Sequence, residues 1–93
     1  METNMSLFNQ VNSLCYWFQR ETDYQCSIFL DAEKDTYFIK LWDQTRQLYA
    51  QQIMEFSKKS KLTAQLLQIE LSSIARSLIH IKENYVLEKQ QLT

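Results

Sequence analysis

In the stretch YQCSIFLDAEKDTYFIKLW, residues 24–42, the spacing of apolar side chains falls from three-to-four to two, and the fold class turns on that change. Tyr24, Cys26, Ile28 and Leu30 alternate with Gln25, Ser27 and Asp31, interrupted only by Phe29, as a half-buried strand does. A second β-rich run, TYFIKLW, occupies 36–42. Between the runs, residues 31–35 form a short polar connection with Asp31 at its entry, suited to a hairpin loop built on a type I turn. The competing reading makes Asp31 an N-cap and runs a helix over 32–58, because Phe38, Leu41, Thr45, Leu48, Gln52 and Phe56 also keep helical spacing. The density of β-branched and aromatic residues at 36–42 favours an antiparallel hairpin over 24–42.

Helical periodicity lies on both sides. Leu7, Phe8, Val11, Leu14, Cys15 and Phe18 predict a first helix over 4–20, with Thr3, Asn4 or Ser6 as its cap. Tyr16 and Trp17 widen its apolar face beyond what one packing partner needs. Downstream, Asp43 reads as a cap, and Leu48, Tyr49, Ile53 and Phe56 predict a helix over 43–58. The polar residues 57–61 separate it from a long helix over 61–90. The expected architecture is a single α+β domain, 1–93: an N-terminal helix, a two-stranded antiparallel hairpin, then two helices, the last one long. An all-α bundle is the alternative.

Leu67, Leu71, Ile74, Leu78, Ile81 and Tyr85 recur at spacings of four and three, with Leu92 one heptad further, as in a coiled-coil seam. About 28 residues of such a helix span roughly 42 Å, against a diameter of roughly 30–33 Å for a compact chain of this size. It overhangs its own domain, so a homodimer joined through Leu78, Ile81, Tyr85 and Leu92, with the hairpin as a further contact, is expected. Charge permits this: residues 1–45 sum to −4 and residues 46–93 to +3, within a total of −1. Complementary halves of one fold or opposite halves of two subunits both satisfy that asymmetry.

The chain has no glycine and no proline, where average usage supplies about eleven of the two together. Phosphate-cradling loops and dinucleotide fingerprints need glycine and are therefore absent. No apolar run approaches the ~18 residues of a membrane span, and the start lacks the basic region of a secretory signal, so a cytoplasmic protein is expected. Cys15 and Cys26 both fall on faces expected to be buried, where inert thiols are the default and a redox pair the sharper reading. His80 shares the polar face of the long helix with Ser73, Arg76, Ser77, Glu83 and Asn84, which offers solvent rather than a catalytic pocket. Asp31, Glu33 and Asp35 read as solvated turn residues, and no ligand spacing for a metal is present. Catalytic residues, cofactors and metals are accordingly expected to be none.

Trp17, Phe29, Phe38 and Trp42 remain, because alternation cannot bury Phe29, Phe38 and Trp42 beside Ile28, Ile39 and Leu41. Interfaces are rich in such side chains. The leading expectation is a non-enzymatic protein-protein interaction module, an adaptor, regulator, inhibitor or assembly chaperone, with a protein partner of unstated identity. The alternative is a nucleic-acid-associated regulator using Arg46, Lys58, Lys59 and Lys61, disfavoured by the acidic balance and the lack of aromatic residues between basic ones.

Overall fold

The computed structural model describes residues 2–57 and 61–91. The elements run α1 (Glu2–Glu21), β1 (Gln25–Asp31), β2 (Thr36–Trp42), β3 (Gln47–Ile53) and α2 (Lys61–Gln91). This is an α+β chain, and α1, the first hairpin and α2 fall within two residues of the boundaries that periodicity predicts. The strands make one antiparallel meander in the order β1-β2-β3. Alternation along β2 sends Tyr37, Ile39 and Leu41 to one face, where all three are fully buried. They form one core with Val11, Leu14, Cys15 and Phe18 of α1, Ile53 of β3, and Leu71, Ile74, Ala75 and Leu78 of α2. Both helices therefore cover the same face of the sheet.

The helix expected over 43–58 is corrected: residues 47–53 form the third strand, and the sheet is not a two-stranded hairpin. Asp43 has the role of a cap but in a different turn. Its Oδ1 accepts from the Thr45 and Arg46 N–H groups at 2.8 and 2.9 Å and from Thr45 Oγ1 at 3.0 Å, closing the β2–β3 connection. A carboxylate accepting from the two and three residues ahead serves a helix start and an Asx turn equally well. What selects the strand is tertiary: Tyr49 stands opposite Leu41 and Ile53 opposite Tyr37, extending the core face. A two-stranded ribbon alone would be marginal. Burial raises the pKa of the Tyr49 hydroxyl, against a smaller lowering influence of Ser77 of α2.

The backbone N–H groups of Thr45 and Arg46 hold the Asp43 carboxylate below its ordinary value of 3.8. A carboxyl whose folded pKa is depressed adds stability above its unfolded pKa and loses it as pH falls through the folded value. Acidification below about pH 4 should therefore lower the hydrogen-exchange protection of Thr45 and Arg46 relative to an unfolded chain at the same pH, and Asp43→Ala should abolish that protection at every pH. Slow, pH-independent protection in the variant would remove the turn from this role.

Without glycine, the other turns also use side chains. At the end of α1, Thr22 Oγ1 donates to the Phe18 carbonyl at 2.6 Å and accepts from the Tyr24 N–H at 2.9 Å. Asp31 Oδ1 accepts from the Glu33 and Lys34 N–H groups at the entry to the first hairpin loop, as its sequence predicts. Asp35 and Glu55 take positive φ of 50° and 53°. Asp35 tolerates that region better than most residues. Its carbonyl accepts from Phe56 N–H and its Oδ1 from Ser57 N–H, both at 2.8 Å, folding the segment after β3 back onto the loop.

The overhang of α2 is real. The described chain measures 49 × 24 × 17 Å, with a radius of gyration of 14.3 Å where a compact chain would have about 12 Å. Asn4 Nδ2 donates to the Ala64 carbonyl at 3.1 Å, and Trp17 packs edge-on to Tyr85 with centroids 6.1 Å apart, so α1 and α2 run in the same direction. Past Tyr85 every described residue of α2 is exposed.

Candidate interaction surface

The sheet face turned away from the helices carries the aromatic residues that alternation excludes from the core. Phe29 stands opposite Phe38, Ser27 opposite Lys40, and Gln25 opposite Trp42. β3 adds Ala50 beside Lys40 and Gln52 beside Phe38. Phe29 is 59% exposed, and Phe38 and Trp42 are half-buried against their neighbours. Lys40 Nζ sits 5.3 Å from the Trp42 ring centroid, a cation–π contact that orients the indole. Among the described residues no element covers this face.

The surface continues round the free edge of β1. Ile28 and Leu30 point to the helix side but are 36% and 53% exposed, because the covering helices leave this end of the strand open. Ile28, Phe29 and Leu30 thus present apolar side chains on both faces of one edge strand. Natural edge strands are usually blunted by lysine, proline or a bulge. β1 has none of these, and its single charge, Asp31, is terminal. The other edge, β3, is irregular: the pairing slips between Leu41 and Trp42.

Trp17 lies elsewhere. It is half-buried in the helix layer, edge-on to Phe18 at 5.2 Å and to Tyr85, with Lys82 Nζ 4.6 Å from its ring centroid. Tyr24 joins this group, 5.2 Å from Tyr85. The seam residues divide similarly. Leu78 is fully buried in the core, Ile81 packs against it, and Tyr85 is taken up by Trp17 and Tyr24. Leu92 lies outside the described residues. The seam that spacing alone reads as an interface is thus largely used inside the chain, leaving Val86 and Leu87 exposed on the overhang.

The basic residues are only partly placed. Arg46 is exposed, its Nε 3.9 Å from Asp43 Oδ2 in the β2–β3 turn. Lys58 and Lys59 lie outside the described residues, as does the side chain of Lys61, which opens α2.

An open groove of about 840 Å³ runs between α1 and the end of α2, lined by Gln10, Leu14, Ile79, His80, Glu83 and Val86 among others. His80 is exposed there, its Nε2 3.3 Å from Asn84 Nδ2. Lys82 and Glu83 join His80 in the lining, which among the described residues holds no serine, threonine or cysteine. Among the described residues no three His, Cys, Asp or Glu side chains are grouped to hold a metal, and no helix is long and apolar enough to cross a membrane.

The signal that sequence reading missed is the exposure of Ile28 and Leu30. Alternation assigns them to the core face, and only the path of α1 across the sheet uncovers them. No family model, curated protein or solved structure matches the chain, so the reading of its function rests on this surface.

Proposed function

We propose that the chain is a non-enzymatic protein-protein interaction module, of the adaptor, regulator, inhibitor or assembly-chaperone kind, acting as a homodimer. Two copies pair β1 with β1 antiparallel, making one six-stranded sheet, and the joined outer face offers Phe29, Phe38 and Trp42 of each copy to a protein partner. The observation that carries this reading is the exposed run Ile28-Phe29-Leu30 on an edge strand. A twofold pairing centred on Ile28 sets Asp31 against Gln25 and Phe29 against Ser27, so no like charges meet. Pairing engages the outward backbone groups around Ile28 and Leu30, the Cys26 N–H being already held by Gln19 Oε1, and removes exposed apolar surface from water.

Light scattering over a concentration series tests the assembly. The expected result is a dimer that becomes monomeric in Ile28→Lys/Leu30→Lys, with circular dichroism unchanged because both side chains are already exposed. A monomeric wild type, or a variant that remains dimeric, would overturn it. The outer face is tested separately with Phe38→Thr/Trp42→Thr, which should stay dimeric but lose a stoichiometric protein captured by the wild type from lysate of its own source. Retention of that protein by the variant would move the docking surface elsewhere.

A further inference from the structure

Gln19 Oε1 accepts from the Cys26 N–H at 3.1 Å, which pins β1 over the last turns of α1. Cys15 lies one turn before Gln19 on the same face of that helix. The fold therefore brings the chain's two cysteines together across the α1–β1 interface. Cys15 is buried in the core at 4% exposure, and Cys26 packs against that core while remaining partly accessible on an edge strand.

We propose that Cys15 and Cys26 form a dithiol–disulfide site that reversibly staples the edge strand β1 to α1. The site lies on the side of the sheet opposite Phe29, Phe38 and Trp42, so it stands apart from the docking of a partner. The roles of the two sulfurs differ. The neighbouring Cys15 side chain lowers the Cys26 pKa against the effect of its partial burial. The proximity of Cys26, together with burial, pushes Cys15 well above the ordinary range. Cys26, the more accessible and the more easily ionised, is the attacking thiol, and Cys15 is the resolving one.

The oxidant is a low-molecular-weight disulfide, RSSR. The Cys26 thiolate attacks one sulfur, the S–S bond of RSSR breaks, and a mixed disulfide forms as RS⁻ leaves. Cys15 then gives up its proton, attacks the Cys26 sulfur and expels the second RS⁻. The protein loses two electrons and two protons, and RSSR becomes two RSH. Closure of the loop 15–26 should favour the folded state by about a hundredfold by restricting the unfolded chain.

The test equilibrates the full chain with glutathione disulfide under native conditions, followed by acid quench, alkylation and mass spectrometry. The expected product is a chain lighter by two hydrogens with no disulfide between chains, both cysteines protected and a tryptic peptide linking the segments on either side of Arg20. Thermal unfolding should move up on oxidation and return with dithiothreitol, while Cys15→Ser should stop at a glutathione adduct on Cys26. Three outcomes would each overturn the proposal: full alkylation of both thiols in the wild type, a wild-type reaction that halts at the mixed disulfide, or a disulfide that forms only in urea. The mapping uses the wild-type chain, so it decides the matter even if a serine variant folds poorly.

Discussion

Replacing Leu78 with aspartate is expected to unfold the chain, whereas the same substitution at Val86, two turns further along α2, should leave it folded. Leu78 belongs to the heptad seam and Val86 directly follows its member Tyr85, yet their surroundings are opposite. Leu78 has no accessible surface and belongs to the core with Ile39, Leu41 and Ile74, while Val86 is 37% exposed on the overhang. Removing a buried leucine side chain costs about 2–5 kcal/mol, and an unpaired buried carboxylate adds several more. A chain of this length has a total stability on the order of 5–14 kcal/mol, so Leu78→Asp consumes most or all of it. Urea titration followed by circular dichroism should show loss of the cooperative transition for Leu78→Asp and a midpoint near wild type for Val86→Asp. A folded Leu78→Asp monomer would mean that Leu78 faces a partner chain after all.

The difference between seam and core explains what could be read in the sequence. Helical periods placed α1 and α2, and the period-two run placed the hairpin, because each pattern reflects one buried face of one element. The third strand was hidden for a local reason. Leu48, Tyr49, Ile53 and Phe56 satisfy helical spacing, while the alternating set Tyr49, Gln51 and Ile53 has a polar middle member, so it looks like a weak strand. Its selection depends on what it meets, Leu41 and Tyr37 across the ladder, and those contacts are not local. The seam on α2 was legible as a buried stripe but not as buried against α1 and the sheet, since spacing records that a face is covered and not by which chain. Of the aromatic set, Phe29, Phe38 and Trp42 were separable from the core by alternation alone. Trp17 was not, because only the parallel course of the helices brings Tyr85 and Lys82 onto it.

Truncating Tyr37 to alanine is expected to be nearly as damaging as Leu78→Asp, and comparison with Tyr37→Phe separates its two contributions. Tyr37 is the central residue where β2, α1 and the segment after β3 converge. It is fully buried, stacked on Phe56 with centroids 4.9 Å apart, and inclined to Phe8 at 5.2 Å. Its hydroxyl donates to Asn12 Oδ1 at 3.3 Å, and burial pushes its pKa well above the ordinary tyrosine value. Loss of the ring opens a cavity between three elements, for which large-to-small aromatic substitutions cost about 3–5 kcal/mol. Loss of the hydroxyl alone removes one neutral hydrogen bond, worth about 1 kcal/mol, and leaves the half-buried Asn12 free to turn toward water. Tyr37→Phe should therefore lower the melting temperature by roughly 4–8 °C, and Tyr37→Ala by several times that. If the two variants melted together, the hydroxyl and not the aromatic stack would be holding the segment after β3 against α1. Phe56 would then be expected to tolerate replacement by leucine without further loss.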